Sequence, residues 1–303
     1  ILLDRARLRT AVFPLWRLLA RLKPAVVFST FGHLNLAILL LRMIPGMGRC
    51  RVLIREPNTP SKSHPALRYG WILSLGCRWV YPQADQIICQ SDIIKYELQH
   101  RFRVGAHRLG VIHNAVDQRR IRQQAEPLCG RSGVPLYIAI GSLTYQKGFD
   151  RLIGLMSEIS HEYELVIMGE GPMRGELTRL VSHFSLGSRI RIVGYQKNPW
   201  PLLGASDVLL ISSRWEGMPN VALEALALGV PVIGTETSGG LKELVDLVDP
   251  GYVKVEQFGD DFRRAIEEVK PSSGNRLRSS VLPDRYDAAV AAESFKQLVR
   301  GMV

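Results

Sequence analysis

Cysteine is scarce in this chain of 303 residues: Cys50, Cys77, Cys89 and Cys129 are scattered, with no C-x-x-C pair among them. That spacing indicates neither a zinc site nor a disulfide framework, and a reducing cytosol fits it. Long apolar runs are missing as well. A stretch such as Leu34 to Leu41 falls far short of the ~20 residues that a membrane-spanning helix requires, and no secretory leader is read ahead of it. There is no internal repeat and no low-complexity tract. Acidic residues are depleted in one part only: residues 1–128 hold 7 Asp and Glu against 20 Lys and Arg, whereas the remainder holds 21 against 19. The overall net charge of +11 therefore comes from the first part. A surplus placed in this way predicts an anionic partner for that half: a membrane surface, a lipid diphosphate or nucleic acid.

What is present is a repeated exchange of short apolar runs with helical patterns, over a length sufficient for two α/β domains that each bury a core. Leu2 to Leu22 reads as an amphipathic helix, with Pro14 expected to kink or divide it. Strands follow at Ala25 to Thr30, Arg51 to Arg55 and Gln86 to Cys89. His33 stands just beyond the first of them, where open sheets place ligands. Glu56 to His64 reads as a polar loop, Leu67 to Val80 as a basic, aromatic helix, and Ser91 as the N-cap of the next helix. Leu109 to Asp117 is a strand ending in Asn-Ala-Val-Asp, and Gln118 to Gly133 reads as a linker.

In the second half, a strand at Tyr137 to Ile140 runs into Gly141-Ser-Leu-Thr-Tyr-Gln-Lys-Gly148. Its glycines let backbone approach a ligand, and Lys147 supplies a cation near a helix start that favours anions. A diphosphate fits. Gly169-Glu-Gly171-Pro follows a second strand, and Gly194-Tyr195 a third. Asp207 to Ile211 and Gly229 to Gly234 are two more strands. Between them, Gly217 and Pro219 keep the chain out of a helix, Asn220 is the expected N-cap, and Val221 to Leu228 is helical until Gly229 stops it. Glu216 then lies in the loop and Glu224 in the second helical turn, both at the C-terminal edge of a parallel sheet. Fixed carboxylates there suit the hydroxyls of a sugar or ribose. Thr235 to Glu243 places Gly239-Gly240 ahead of a further helix start, a second candidate diphosphate clamp.

Glu216-Gly-Met-Pro-Asn220, with Glu224-Ala-Leu-Ala-Leu-Gly-Val-Pro-Val after it, closely resembles the signature of the family 4 retaining glycosyltransferases. The resemblance is strong from about residue 109 to 251 and weaker before that. It implies an α/β GT-B fold, with two Rossmann-like domains facing a central cleft. The expected domains are 1–128 on the acceptor side, 129–283 for the nucleotide sugar, and a helix at 284–303 packing back toward the N-terminal domain. Because the N-terminal pattern resembles the middle of a family domain, that domain is expected to lack its first βα units.

By the same resemblance, Glu216 contacts the donor sugar, Glu224 contacts the nucleotide ribose, and His33 meets the sugar from the N-terminal domain. Gly141, Ser142, Gly169, Gly171 and Tyr195 line the nucleotide, together with Gly217, Met218, Pro219 and Asn220. Ser142 departs from the arginine usual at its position, so Lys147, or Arg214, has to carry more of the phosphate charge. No Asp-x-Asp motif stands in a suitable loop, so a metal-independent reaction is expected, with the departing diphosphate held by Lys147, backbone amides and helix dipoles.

The implied activity is hexosyl or N-acetylhexosaminyl transfer from a UDP-sugar to a glycan or lipid-linked acceptor, without nucleic acid. The implied location is the cytoplasm, with peripheral contact at the cytosolic face of an anionic membrane. Two other classes carry their own discriminating observations: a sugar-nucleotide epimerase would turn over donor without acceptor, and a non-catalytic nucleotide-sugar or nucleic-acid binding module would be favoured by DNA or RNA binding with a steep salt slope.

Overall fold

Short β-branched runs bounded by glycine, proline and polar turns become parallel strands, because the intervening helices return the chain to the same edge each time. The computed structural model describes residues 8–44, 50–63, 70–125, 133–272 and 277–302. The chain divides into two compact units, one of Ile1–His113 with Ala291–Val303 and the other of Asn114–Val290. The expected domain boundary at 128/129 lies outside the described residues, as do Cys129 and the first three residues of the helix expected from Leu67.

The first unit contains helix α1 (Leu8–Leu22), strand β1 (Val26–Ser29), α2 (Gly32–Arg42), β2 (Arg51–Glu56), the single turn α3 (Pro60–Ser63), α4 (Gly70–Val80), β3 (Gln86–Cys89), α5 (Asp92–His100) and β4 (Leu109–Val111). Its four strands are parallel in the order β1-β2-β3-β4. Val52, Ile54, Ile87 and Cys89 pack on one side of this sheet against Leu39, Tyr81, Ile94 and Leu98. Leu53 and Ile88 pack on the other against Phe295, Leu298 and Met302 from the end of the chain. Ser91 caps α5 as expected, its hydroxyl accepting from the Ile94 N–H at 3.3 Å.

Of the two outcomes expected at Pro14, division does not occur: α1 runs as a single helix through it, the turns on either side still being joined by the bonds that the proline leaves. The stretch before His64 is not loop throughout, since it forms α3, whose Ser61 N–H and hydroxyl both donate to Glu97, at 2.7 and 2.8 Å.

At the C-terminal end of β2, Glu56 is buried with the Tyr81 hydroxyl donating to it at 2.6 Å. Burial pushes its carboxyl up to about 7, outweighing the Tyr81 hydroxyl and the Asn58 N–H that favour the anion. The folded state therefore keeps a proton that the unfolded chain has already released, and the stability this gives is lost as pH rises toward 7. Against an ordinary value of 4.5 the difference amounts to roughly 3 kcal/mol. Glu56→Gln, neutral throughout, is expected to remove that slope. Its urea midpoint should match the wild type near pH 4 and exceed it at pH 8.

The second unit contains α6 (Gln118–Gln124), β5 (Leu136–Ile140), α7 (Phe149–Met156), β6 (Glu164–Met168), α8 (Arg174–His183), β7 (Ile190–Gly194), α9 (Trp200–Ala205), β8 (Val208–Ile211), α10 (Asn220–Ala227), β9 (Val232–Thr235), α11 (Gly239–Val245), β10 (Val253–Glu256) and α12 (Asp260–Glu267). α13 (Ala288–Arg300) follows, and most of it belongs to the first unit. Six parallel strands lie in the order β10-β9-β8-β5-β6-β7. The order reverses between β5 and β8, as in a dinucleotide-binding fold, and ligands of such sheets bind at that switch point.

The segment expected to be a linker is instead partly α6. Asp117 caps it by accepting from the Arg120 N–H at 2.9 Å, and Ile121 is buried in the core beside α10. An N-cap followed by one well-placed apolar residue is enough to order a polar segment when a core is available to receive it.

Candidate functional site

The loops that leave β5, β6, β7, β8 and β9 are tied to one another at the C-terminal edge of this sheet. Gly141 N–H donates to Met168 O at 3.0 Å, Leu143 N–H to Glu170 O at 2.9 Å, and Gly169 N–H to Gly194 O at 2.9 Å. Across the switch point, Arg214 N–H donates to Gln146 O at 2.7 Å, and the Gln146 amide to Trp215 O at 3.0 Å. The stretch ending in Glu216 is held from its other side too, by Glu216 N–H on Thr237 O at 3.3 Å and Gly240 N–H on Gly217 O at 2.7 Å. Gly240 thus spends its N–H on the protein, which takes it out of the second diphosphate clamp suggested by Gly239-Gly240.

Glu216 is 7% exposed, and its Oε1 receives both the Lys147 ammonium and the Ser213 hydroxyl, the latter at 2.9 Å. Lys147 reaches it from the loop after β5, its stem crossing the face of Gly141, where an added Cβ would lie 3.1 Å from Cε. A cation and a carboxylate from the two strands flanking the switch point are thereby paired among glycine-backed turns. Ser142 is exposed next to them, and Gly171 packs against the Leu143 backbone. Tyr195 is 73% exposed beyond β7.

Gly217, Met218 and Pro219 are buried where the loop enters α10. Asn220 is the first helical residue and not the cap, which is Pro219 with no side-chain bond. Its Oδ1 accepts instead from Asn114, at 2.7 Å, and the same Asn114 amide donates to Met218 O at 2.9 Å. Asn114 was not singled out from the sequence, although it opens the Asn-Ala-Val-Asp step.

Glu224 projects from α10 to accept the Trp200 indole N–H at 2.9 Å. Burial lifts its carboxyl above the ordinary value, with the Trp200 bond opposing. Trp200 had no sequence signal, because 24 residues and a strand separate the pair. Arg214 forks onto Asp150 at 2.8 and 2.6 Å and stacks 3.8 Å from the Tyr145 ring. Its charge holds the loop to α7, as the Lys147 charge is held by Glu216. His33 belongs to the first unit, exposed at the start of α2 and stacked on Phe31 with ring centres 6.0 Å apart.

A family model described as "Glycosyl transferases group 1" matches residues 123–279, and one described as "Glycosyltransferase Family 4" matches residues 2–120. The chain belongs to the group 1 glycosyltransferases. An uncharacterized glycosyltransferase of Methanocaldococcus jannaschii is 28% identical, over 77% of this chain and 61% of its own length. The N-acetylgalactosamine-N,N'-diacetylbacillosaminyl-diphospho-undecaprenol 4-alpha-N-acetylgalactosaminyltransferase of Campylobacter jejuni is 27% identical, over 80% of this chain and 62% of its own length.

The chain thus spans about three fifths of these two glycosyltransferases. Among solved structures, HepE of Anabaena in complex with UDP and glucose aligns with a TM-score of 0.76 at 16% identity, covering 96% of this chain and 82% of its own. The apo lipopolysaccharide galactosyltransferase WaaB aligns at 0.70 and 20% identity, covering 97% and 80%. At these identities the likeness is one of fold, and that fold is GT-B, with a parallel-sheet domain in each unit.

Proposed function

We propose that this glycosyltransferase fold moves a sugar from a nucleotide diphosphate sugar, UDP-linked, to a lipid-linked or polysaccharide acceptor, with retention at the anomeric carbon. The observation that carries this proposal is the Lys147–Glu216 pair, placed by β5 and β8 at the switch point and surrounded by the turns at Gly141, Gly169 and Gly217. Support for the donor comes from the UDP and glucose held by HepE, and for the acceptor from the undecaprenol diphosphate in the Campylobacter relative's name.

In the reaction, the bond from the anomeric carbon to the diphosphate oxygen breaks as a bond to the acceptor oxygen forms on the same face. The acceptor proton passes to the leaving phosphate. Lys147 stabilises the charge that collects on the diphosphate, in a site already organised before the reaction begins. Glu216 accepts from sugar hydroxyls, Glu224 from the ribose, and His33 is a candidate for contact with the sugar. This charge distribution needs no metal, and turnover in chelator is expected.

Protein supplied with UDP-, GDP- and ADP-sugars and a polyprenyl-diphosphate-linked glycan is expected to release UDP, with Glu216→Ala as the inactive control. No nucleotide release above that control with any donor would overturn the proposal. Donor turnover that ignores the acceptor would replace it with an epimerase.

A further inference from the structure

α4 carries apolar residues on the side where a surface helix carries polar ones. Its 11 residues contain one charge, Arg78. One side packs inward: Cys77 is 1% exposed, and Gly76 lets the Leu36 side chain of α2 approach so closely that a Cβ there would lie 2.7 Å from it. The opposite side holds Trp71, Ile72, Leu75 and Trp79, exposed by 69%, 47%, 52% and 69%. These positions fall at i, i+1, i+4 and i+8, one face of a helix, and the exposed Arg78 lies on the same face. The end of α2 adjoins it, because Arg42 donates to Gln83 O at 3.0 Å just beyond α4; there Met43 and Ile44 are 68% and 46% exposed.

A helix apolar on both sides belongs to a core, or to a surface that something apolar covers. α4 spans roughly 16 Å, too short to cross a bilayer but suited to lying in its interface, where tryptophan and arginine are favoured. The charge of its unit selects between a second copy and a lipid surface. Residues 1–113, the part of that unit that holds α4, carry 17 Lys and Arg against 5 Asp and Glu. Like charge of that size opposes self-association and attracts anionic headgroups. We propose that the α4 face of Trp71, Ile72, Leu75, Arg78 and Trp79 is the surface on which this chain lies against an anionic lipid bilayer. This deepens the proposed function by bringing the protein to a lipid-linked acceptor, yet it is measured with no sugar present.

Cosedimentation with vesicles of phosphatidylcholine, and of phosphatidylcholine mixed with phosphatidylglycerol, tests it. Binding is expected on the anionic vesicles, weakened by salt. The double variant Trp71→Ala/Trp79→Ala should weaken it by at least about tenfold. Arg78→Glu should weaken it several-fold on anionic vesicles and leave weak zwitterionic binding unchanged. Both tryptophans are mostly solvent-exposed, so the double variant should keep the wild-type melting temperature and UDP-sugar affinity.

Three results would each overturn the proposal: no vesicle binding, binding that survives the double variant, or a dimer in sedimentation velocity that the double variant dissolves. Vesicle binding without any sugar transfer would leave the surface standing while the proposed activity fell.

Discussion

Lys147→Met is expected to lower sugar transfer by roughly 10²- to 10³-fold, the scale lost when one preorganised group facing developing charge is removed. The same substitution is expected to cost stability, because it strands a carboxylate that is 7% exposed and leaves the Ser213 hydroxyl as its partner in the Oε1 arrangement. Breaking a buried pair from one side costs about 3 kcal/mol. Glu216→Gln removes the charge and keeps the shape, so its own stability cost should be smaller. In Lys147→Met/Glu216→Gln neither member of the pair is charged, and the stability loss should fall well below the sum of the two single losses, with a coupling of about 1–3 kcal/mol.

Turnover, by contrast, should not recover in the double variant, because the proposed mechanism uses both the ammonium and the carboxylate and neither is restored. Urea midpoints and initial rates for the four proteins separate the two roles. Additive stability losses would show that the pair is not a structural unit. Unchanged turnover in Lys147→Met would show that the ammonium does not face the leaving group.

The elements of the sequence that were legible were those whose signal is local. Ile138, Val166, Leu209 and Val232 sit in short apolar runs closed by glycine or polar residues, and each run is a strand of the second unit. The turns after β5 and β6 were legible because glycine clusters announce a close approach by something. What approaches is a different matter: for Gly240 it is the backbone of Gly217 and Met218.

Long-range side-chain pairs left little or no local trace. Glu224 with Trp200, Arg214 with Asp150, and Asn114 with Asn220 are joined by topology across 24, 64 and 106 residues. Asn220 shows the consequence. Its type and position match an N-cap, yet the bond to Asn114 takes its side chain and Pro219 becomes the cap. Competition between a local bond and a tertiary one is decided by the packed structure, where the bond also gives the buried Asn114 amide a partner.

That dependence of the site on backbone fit leads to the largest stability effect expected here. Gly169 follows β6 directly with φ of +147°, a conformation rare for residues bearing a side chain, and a Cβ there would lie 1.8 Å from the Gly141 carbonyl oxygen. No rotamer relieves a clash between a Cβ and backbone, so Gly169→Ala has to push the end of β5 away from β6. The displaced segment carries Gly141 and, six residues on, Lys147. Strain and lost ladder bonds together are expected to cost on the order of 4 kcal/mol.

The control is Gly154→Ala in the interior of α7, where an added Cβ meets nothing within 4 Å. There the better helix former should stabilise by roughly 0.5–1 kcal/mol. Thermal melts and UDP-sugar calorimetry on the two variants make the comparison. Gly169→Ala should melt far below the wild type and lose donor affinity even below its melting temperature, since the loop that carries Lys147 is displaced in the folded protein itself. A Gly169→Ala variant as stable as Gly154→Ala would mean that β5 and β6 do not approach at Gly141, and the joined loops that hold Lys147 against Glu216 would have to be redrawn.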